Sequence, residues 1–148
     1  MRRVDSVASP LFLDTGYVIA LNSPRDRFYG AALDWERRIR ADNVPLVTTR
    51  AVQLEIGAAF SRIAYRMAGA AILDALDRDP GITVVPLDDD MYRRALALFA
   101  GRADKEWSLT DCVSFVVMQD RAISQALSTD AHFAQAGFEA LLQPDTGS

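Results

Sequence analysis

Two short apolar runs, far apart in the chain, each end in an aspartate. Leu11-Phe12-Leu13 runs into Asp14, and Ala126-Leu127-Ser128-Thr129 runs into Asp130. Helical patterns fill the space between them, and this alternation constrains the fold more than any other feature. Further strands are expected at Pro45–Thr48, at Ile82–Val85 and, on an edge, at Phe138–Leu142. Helices are expected at Thr15–Leu21 and over a segment that repeats Phe28, Ala32, Trp35 and Ile39 and stops at Asp42-Asn43. Others should run from a Thr49 cap to about Arg66, near Ala68–Arg78, from Asp88-Asp89-Asp90 to Ala100, and over Leu109–Asp120 behind a Ser108 cap. A helical turn at His132–Gln135 closes at Gly137. Strands separated by helices imply the α/β class, with helices on both faces of a mainly parallel sheet of about five strands.

Half of the 148 residues are apolar, which suits one domain over 1–148 with its core at about 11–142. No internal repeat or linker divides it. The formal charge of −4 gives no global field for nucleic acid. Lys105 is the only lysine, and every other cation is an arginine, whose planar fork suits phosphate. Met1-Arg2-Arg3-Val4-Asp5 has no apolar segment behind its cations and does not read as a secretory signal. No apolar stretch is long enough to span a bilayer. Cys112 stands alone, so there is no internal disulfide, and it reads as a small buried hydrophobe. These features together suggest a cytoplasmic protein. His132 is the only histidine, which excludes a multi-histidine zinc site and argues against a Ser-His-Asp enzyme.

Asp14 and Asp130 stand at strand ends, and ligands of open α/β sheets bind beyond the strands' carboxyl edge. Glu55 and Asp111 fall early in helical patterns, in what the sequence suggests are first turns over that same edge. Each acid also has an ordinary structural reading. Asp14 and Asp130 can cap the turns that follow them. Glu55 can sit on an amphipathic helix, although Ile56 and Ala59 beside it are apolar. Ser108-Leu109-Thr110-Asp111 has the form of a capping box. Those readings leave the shared position of the four acids unexplained. A pair of carboxylates about 4 Å apart repels by roughly 4 kcal/mol at an effective dielectric near 20. Four together imply a bound divalent cation. The triple Asp88-Asp89-Asp90 is better read as a solvated helix start.

These residues resemble the PIN-domain ribonucleases, in particular the VapC-like toxins of bacterial toxin–antitoxin modules. The resemblance covers about Leu11 to Leu142. It lies in Leu11-Phe12-Leu13-Asp14-Thr15, in the segment from Thr48-Thr49 to Glu55, in Trp107-Ser108-Leu109-Thr110-Asp111-Cys112-Val113-Ser114-Phe115, and in Ser128-Thr129-Asp130-Ala131-His132-Phe133 with Gly137-Phe138. It implies a three-layer α/β/α fold and Mg²⁺- or Mn²⁺-dependent cleavage of RNA to 5′-phosphate and 3′-hydroxyl products. Asp14, Glu55, Asp111 and Asp130 fall on the family's acidic positions, with Thr15 and Thr129 as supporting hydroxyls. Asp14 and Asp111 are then expected as the main ligands, and Glu55 and Asp130 as completing the shell. Gly16 departs from the family, where a serine or threonine is frequent and would bring another hydroxyl to the metal. Asp26 reads as structural. Partners implied are an RNA substrate, an antitoxin and a second copy of the chain, with no membrane. The helices Ala51–Phe60 and Ala68–Leu76 are apolar enough to receive a protein.

Cations that could rim the cleft are Arg25, Arg27, Arg50, Arg102, Lys105 and Arg121, with Arg50 the best placed for substrate. Trp107 could stack a base or pack in the core. Other readings are a stand-alone PIN nuclease of RNA processing, a receiver-like Mg²⁺-binding signalling domain, and a binding module without catalysis. The receiver reading lacks adjacent acids after the first strand and a late lysine.

Overall fold

The computed structural model describes residues 8–145. Five parallel strands form one sheet: β1 (Leu11–Leu13), β2 (Leu46–Thr49), β3 (Ile82–Val85), β4 (Gln125–Leu127) and β5 (Glu139–Ala140). Their order is β3-β2-β1-β4-β5. The chain grows outward from β1 to β3, then returns past β1 to add β4 and β5. The helices between are α1 (Thr15–Leu21), α2 (Tyr29–Asp42), α3 (Arg50–Ala59), α4 (Ile63–Arg78), α5 (Asp89–Gly101), α6 (Leu109–Asp120) and α7 (Ala131–Gln135). α1 packs on α2 and α3, and α3 on α4, while α5 packs on α6 and α6 on α7. Right-handed crossovers in the two directions put these groups on opposite faces, giving the α/β/α layers expected from the sequence. The order is not the 2-1-3-4-5 of the flavodoxin-like fold, which removes the receiver-like reading.

The central strand β1 is buried throughout, and Phe12, Ala126 and Leu127 have no exposed surface. A strand covered on both faces needs an unbroken apolar run, as Leu11-Phe12-Leu13 provides. In α6 every residue from Asp111 to Met118 is buried, so this helix forms the middle of its layer and its apolar pattern covers all sides. Phe115 packs edge-on against Trp107 at 5.0 Å and Phe133 at 5.1 Å. Trp107 is buried and its indole N–H donates to Gln135 Oε1. Of the two roles the sequence allowed it, packing is the one it has. Among the described residues no helix is long and apolar enough to cross a membrane.

Three expectations need correction. The helix expected from Thr49 to about Arg66 ends at Ala59, and α4 starts at Ile63. Thr49 does cap α3, its hydroxyl accepting from Val52 N–H. The break carries no glycine or proline. It comes from tertiary packing: buried Gly69 of α4 abuts the Phe60 side chain, and Arg66 donates to the Ser61 carbonyl across the corner. Counted from the Thr49 cap, Glu55 is the sixth residue of α3, in its second turn and not in the first turn expected for it. The strand ends also shift by one or two residues, β2 running through Thr49 and β4 stopping at Leu127.

A Cβ added at Gly69 would lie 2.6 Å from the Phe60 Cβ. Glycine to alanine in an open helix gains about 1 kcal/mol. Here overpacking should reverse the sign, with Gly69→Ala costing about 1–3 kcal/mol in a urea melt.

Candidate metal centre

β1 and β4 are neighbours, with Phe12 beside Ala126 and Leu13 beside Leu127. Asp14 and Asp130 therefore leave the sheet side by side at the point where strand order reverses. A cleft of about 360 Å³ opens there, lined by Asp14, Glu55, Asp111 and Asp130 together with Thr15, Thr129 and Gly16. The structure thus brings all four acids to one cleft. It adds Glu106, Ser108 and His132 to the lining, residues the sequence did not single out for this site.

Each acid is held by a different device. Asp14 caps nothing: it is 8 % exposed and its side chain makes no capping hydrogen bond to α1. Its Oδ2 instead accepts from the Ser128 hydroxyl at 2.7 Å. The same Ser128 Oγ accepts from Asp130 N–H at 3.0 Å, so one serine links both strand ends. Glu55 accepts from the Thr15 hydroxyl at 2.9 Å. Asp111 is the acid of a complete capping box, exchanging hydrogen bonds with Ser108. Asp130 Oδ1 accepts from His132 N–H at 2.9 Å and caps α7. The structural readings of Asp111 and Asp130 both hold, and neither keeps its carboxylate out of the cleft.

His132 was given no role by the sequence. Its Nδ1 lies 2.9 Å from Asp111 Oδ2 and 3.3 Å from Asp130 Oδ2. Asp111, Asp130 and His132 each offer a ligand atom within 4.8 Å of the others. The signals were present in Ser128-Thr129-Asp130-Ala131-His132, where a serine and a histidine stand two residues on either side of an acid. Alone they are too common to interpret.

Gly16 is where close approach matters. A Cβ there would stand 2.7 Å from Thr129 Oγ1. A larger residue at 16 would collide with the Thr129 hydroxyl, so the departure from the family pattern leaves a hydroxyl beside the cleft, contributed from the loop between β4 and α7.

Arg50 does not line the cleft. It pairs with Asp77 at 2.9 Å and donates to Gln53, bridging α3 and α4. Arg102 forms a two-pronged pair with Asp104 and lies over the Trp107 ring. Arg25, Arg27, Lys105 and Arg121 are also absent from the lining, and among the described residues no arginine or lysine contributes to it. Asp26 is structural as read, its carboxylate accepting from Phe28 N–H.

Electrostatics agree with a site made for a cation. Burial pushes the Asp14 carboxyl up from 3.8 to about 7; the Ser128 hydroxyl and Thr15 backbone oppose this, and the charges of Asp111 and Glu55 add to it. Burial likewise raises Glu55, against its bond from Thr15 and with the charges of Asp111 and Asp130 adding. Oxygen donors in this number, with two of them reluctant to ionise together, suit a hard divalent cation. The residues present therefore fit such an ion.

The fold is of the α/β/α class, with an acidic cleft at the carboxyl edge of its parallel sheet. The PIN domain profile matches residues 11–139. The chain belongs to the PIN-domain family. It is 29% identical over 130 residues to the protein named 23S rRNA-specific endonuclease VapC20 in two strains of Mycobacterium tuberculosis, covering 86% of this chain and 95% of that one. The crystal structure of Mycobacterium tuberculosis VapC20, described as a Sarcin-Ricin loop cleaving toxin, superposes with a TM-score of 0.77 at 25% identity, covering 90% of this chain and 99% of that one. FitAcB from Neisseria gonorrhoeae matches in fold, with a TM-score of 0.61 at 15% identity over 90% of this chain and 97% of that one.

The raised Asp14 value has a consequence for stability. Between pH about 4 and about 7 the folded, metal-free protein holds a proton that the unfolded chain has released. The contribution of Asp14 to stability is therefore complete below the ordinary carboxylate range and is lost as pH rises towards 7. Urea melts in EDTA should show that decline for the native chain. Asp14→Asn, which keeps an acceptor for Ser128, should flatten it and be the more stable protein at pH 8 by a few kcal/mol. Equal slopes for the two proteins would remove Asp14 as its source.

Proposed function

We propose that this chain is a metal-dependent endoribonuclease, the toxin of a toxin–antitoxin pair, with Asp14, Glu55, Asp111 and Asp130 as its catalytic and metal-holding acids. The observation that carries this reading is the convergence of those four acids, from four separate segments, on one cleft. PIN-family membership and the likeness to VapC20 support the reaction class. Mg²⁺ or Mn²⁺ is the proposed cofactor, because the donors are mostly carboxylate oxygens.

A divalent cation held by Asp14, Glu55, Asp111 and Asp130 would supply a water of lowered pKa and would offset negative charge on the departing oxygen. The chain's own residues supply position. Ser128 fixes Asp14, Thr15 fixes Glu55, and the Ser108 and His132 amides fix Asp111 and Asp130. These carboxylates are therefore set before substrate arrives, so little order has to be created during the reaction. Water attacks phosphorus, the bond from phosphorus to O3′ breaks, and a 5′-phosphate and a 3′-hydroxyl remain.

The proposed substrate class is RNA in the cytoplasm, and 23S rRNA with its Sarcin-Ricin loop, the target by which VapC20 is described, is the first to test. An antitoxin and a second copy of the chain are the proposed protein partners. Exposed apolar side chains support a protein surface: Ile63 and Met67 on α4 are almost wholly exposed, and Leu54 on α3 is 70% exposed. A mainly apolar groove beside Glu55, between Leu54, Leu87, Tyr92 and Leu109, continues that surface to the cleft.

Purified protein with Mn²⁺ or Mg²⁺ should cut 23S rRNA, and EDTA should stop it. Asp14→Asn and Asp111→Asn should each lose more than the roughly 100-fold that follows loss of an outer-sphere partner, with unchanged circular dichroism. Cleavage that persists at the native rate in both variants would take these acids out of the reaction. Sequencing the 5′ ends left after induced expression would locate the cut.

A further inference from the structure

We propose that His132 is itself a metal ligand, through Nδ1, beside Asp111 and Asp130, and that this nitrogen biases the site towards Mn²⁺ over Mg²⁺. The inference rests on the metal-centre reading above and specifies which ion that centre prefers.

The argument is geometric. Ligand atoms bound at right angles to one ion at about 2.1 Å lie about 3 Å from each other. Nδ1 lies 2.9 Å from Asp111 Oδ2 and 3.3 Å from Asp130 Oδ2, which matches two edges of such a shell, and ligand atoms of all three side chains lie within 4.8 Å of one another. The three side chains come to this arrangement by local structure. The capping box holds Asp111 Oδ2 through Ser108 N–H at 3.0 Å. His132 N–H holds Asp130 Oδ1 at 2.9 Å, which leaves Asp130 Oδ2 beside the ring of the same histidine. Asp130 and His132 stand two residues apart across the start of α7, so the backbone that caps the helix also fixes the pair. His132 is partly exposed and lines the cleft.

An imidazole among carboxylates changes selectivity. Mg²⁺ is hard, takes oxygen and keeps its waters, whereas imidazole nitrogen is a ligand of first-row transition ions. Replacing one oxygen of an otherwise acidic set by nitrogen therefore favours Mn²⁺ while leaving Mg²⁺ binding dependent on the carboxylates.

The test uses the full chain, with Mn²⁺ and Mg²⁺ as probes. Calorimetric titration of each ion is compared between the native chain and His132→Ala, and pulsed electron paramagnetic resonance of bound Mn²⁺ looks for modulation by a directly bound nitrogen. Expected is nitrogen modulation in the native chain, absent in His132→Ala, with Mn²⁺ affinity falling at least about tenfold and Mg²⁺ affinity falling clearly less. Native protein that binds Mn²⁺ without nitrogen modulation would overturn the inference and leave His132 a hydrogen-bond donor to Asp111, with the metal centre standing. Native protein that binds neither ion would overturn the metal centre itself. The native-chain spectrum decides the point even if His132→Ala fails to fold.

Discussion

The burial of one carboxylate governs the rest of this structure. Asp14 follows the central strand directly, at the place where the sheet is most completely covered. It is too enclosed to ionise easily, and Asp111 and Glu55 make that harder. A single hydroxyl, from Ser128 just beyond the neighbouring strand β4, accompanies it. A buried acid with only neutral hydrogen-bond partners is a costly element of a core unless something positive arrives. The surrounding acids raise that cost in the empty protein and become the means of relief once a cation is shared among them. The same repulsion therefore works against the apo state and favours the loaded one.

The other acids show why structural and chemical roles need not compete. Asp111 completes a helix cap and Asp130 begins another, and each bond fixes a carboxylate that also faces the cleft. Capping orients a carboxylate at almost no extra cost, because the helix amides must be satisfied in any case. A helix start at the carboxyl edge of a parallel sheet thus tends to supply a preoriented acid. The macrodipole stabilises its negative charge as well. Glu55, in the second turn of its helix, lacks this support and takes a side-chain donor, Thr15, in its place.

Much of this was legible in the sequence, and the parts that were not have physical reasons. The strands could be read because buried parallel strands are short apolar runs. Four helix starts could be read because Thr49, Asp88, Ser108 and Asp130 cap them with their side chains. The acids could be placed because strand ends and helix starts meet at one edge. The turn between α3 and α4 could not be read, since Phe60 against Gly69 is a contact between helices with no local breaker. Arg50 looked well placed for substrate, but Asp77, in the last turns of α4, claims its guanidinium. Nothing in a linear sequence pairs residues 27 positions apart. In sequence His132 reads only as a lone base, because Asp111 comes within reach of it only once α6 lies beside α7.

Topology turns these local arrangements into a site. Had β4 added to the outer side of β3, Asp130 would end three strands from Asp14, beyond the reach of any shared ion. The return of the chain past β1 makes β1 and β4 adjacent, and the long α5–α6 connection performs that return. The connection contributes more than length. Its second helix is buried over eight consecutive residues and carries Asp111 at the start of that run. The helix that allows the sheet to reverse its order is also the one that carries an acid to the point of reversal. A substitution that loosened α6 would therefore act on the fold and on the cleft through the same contacts, such as Phe115 between Trp107 and Phe133.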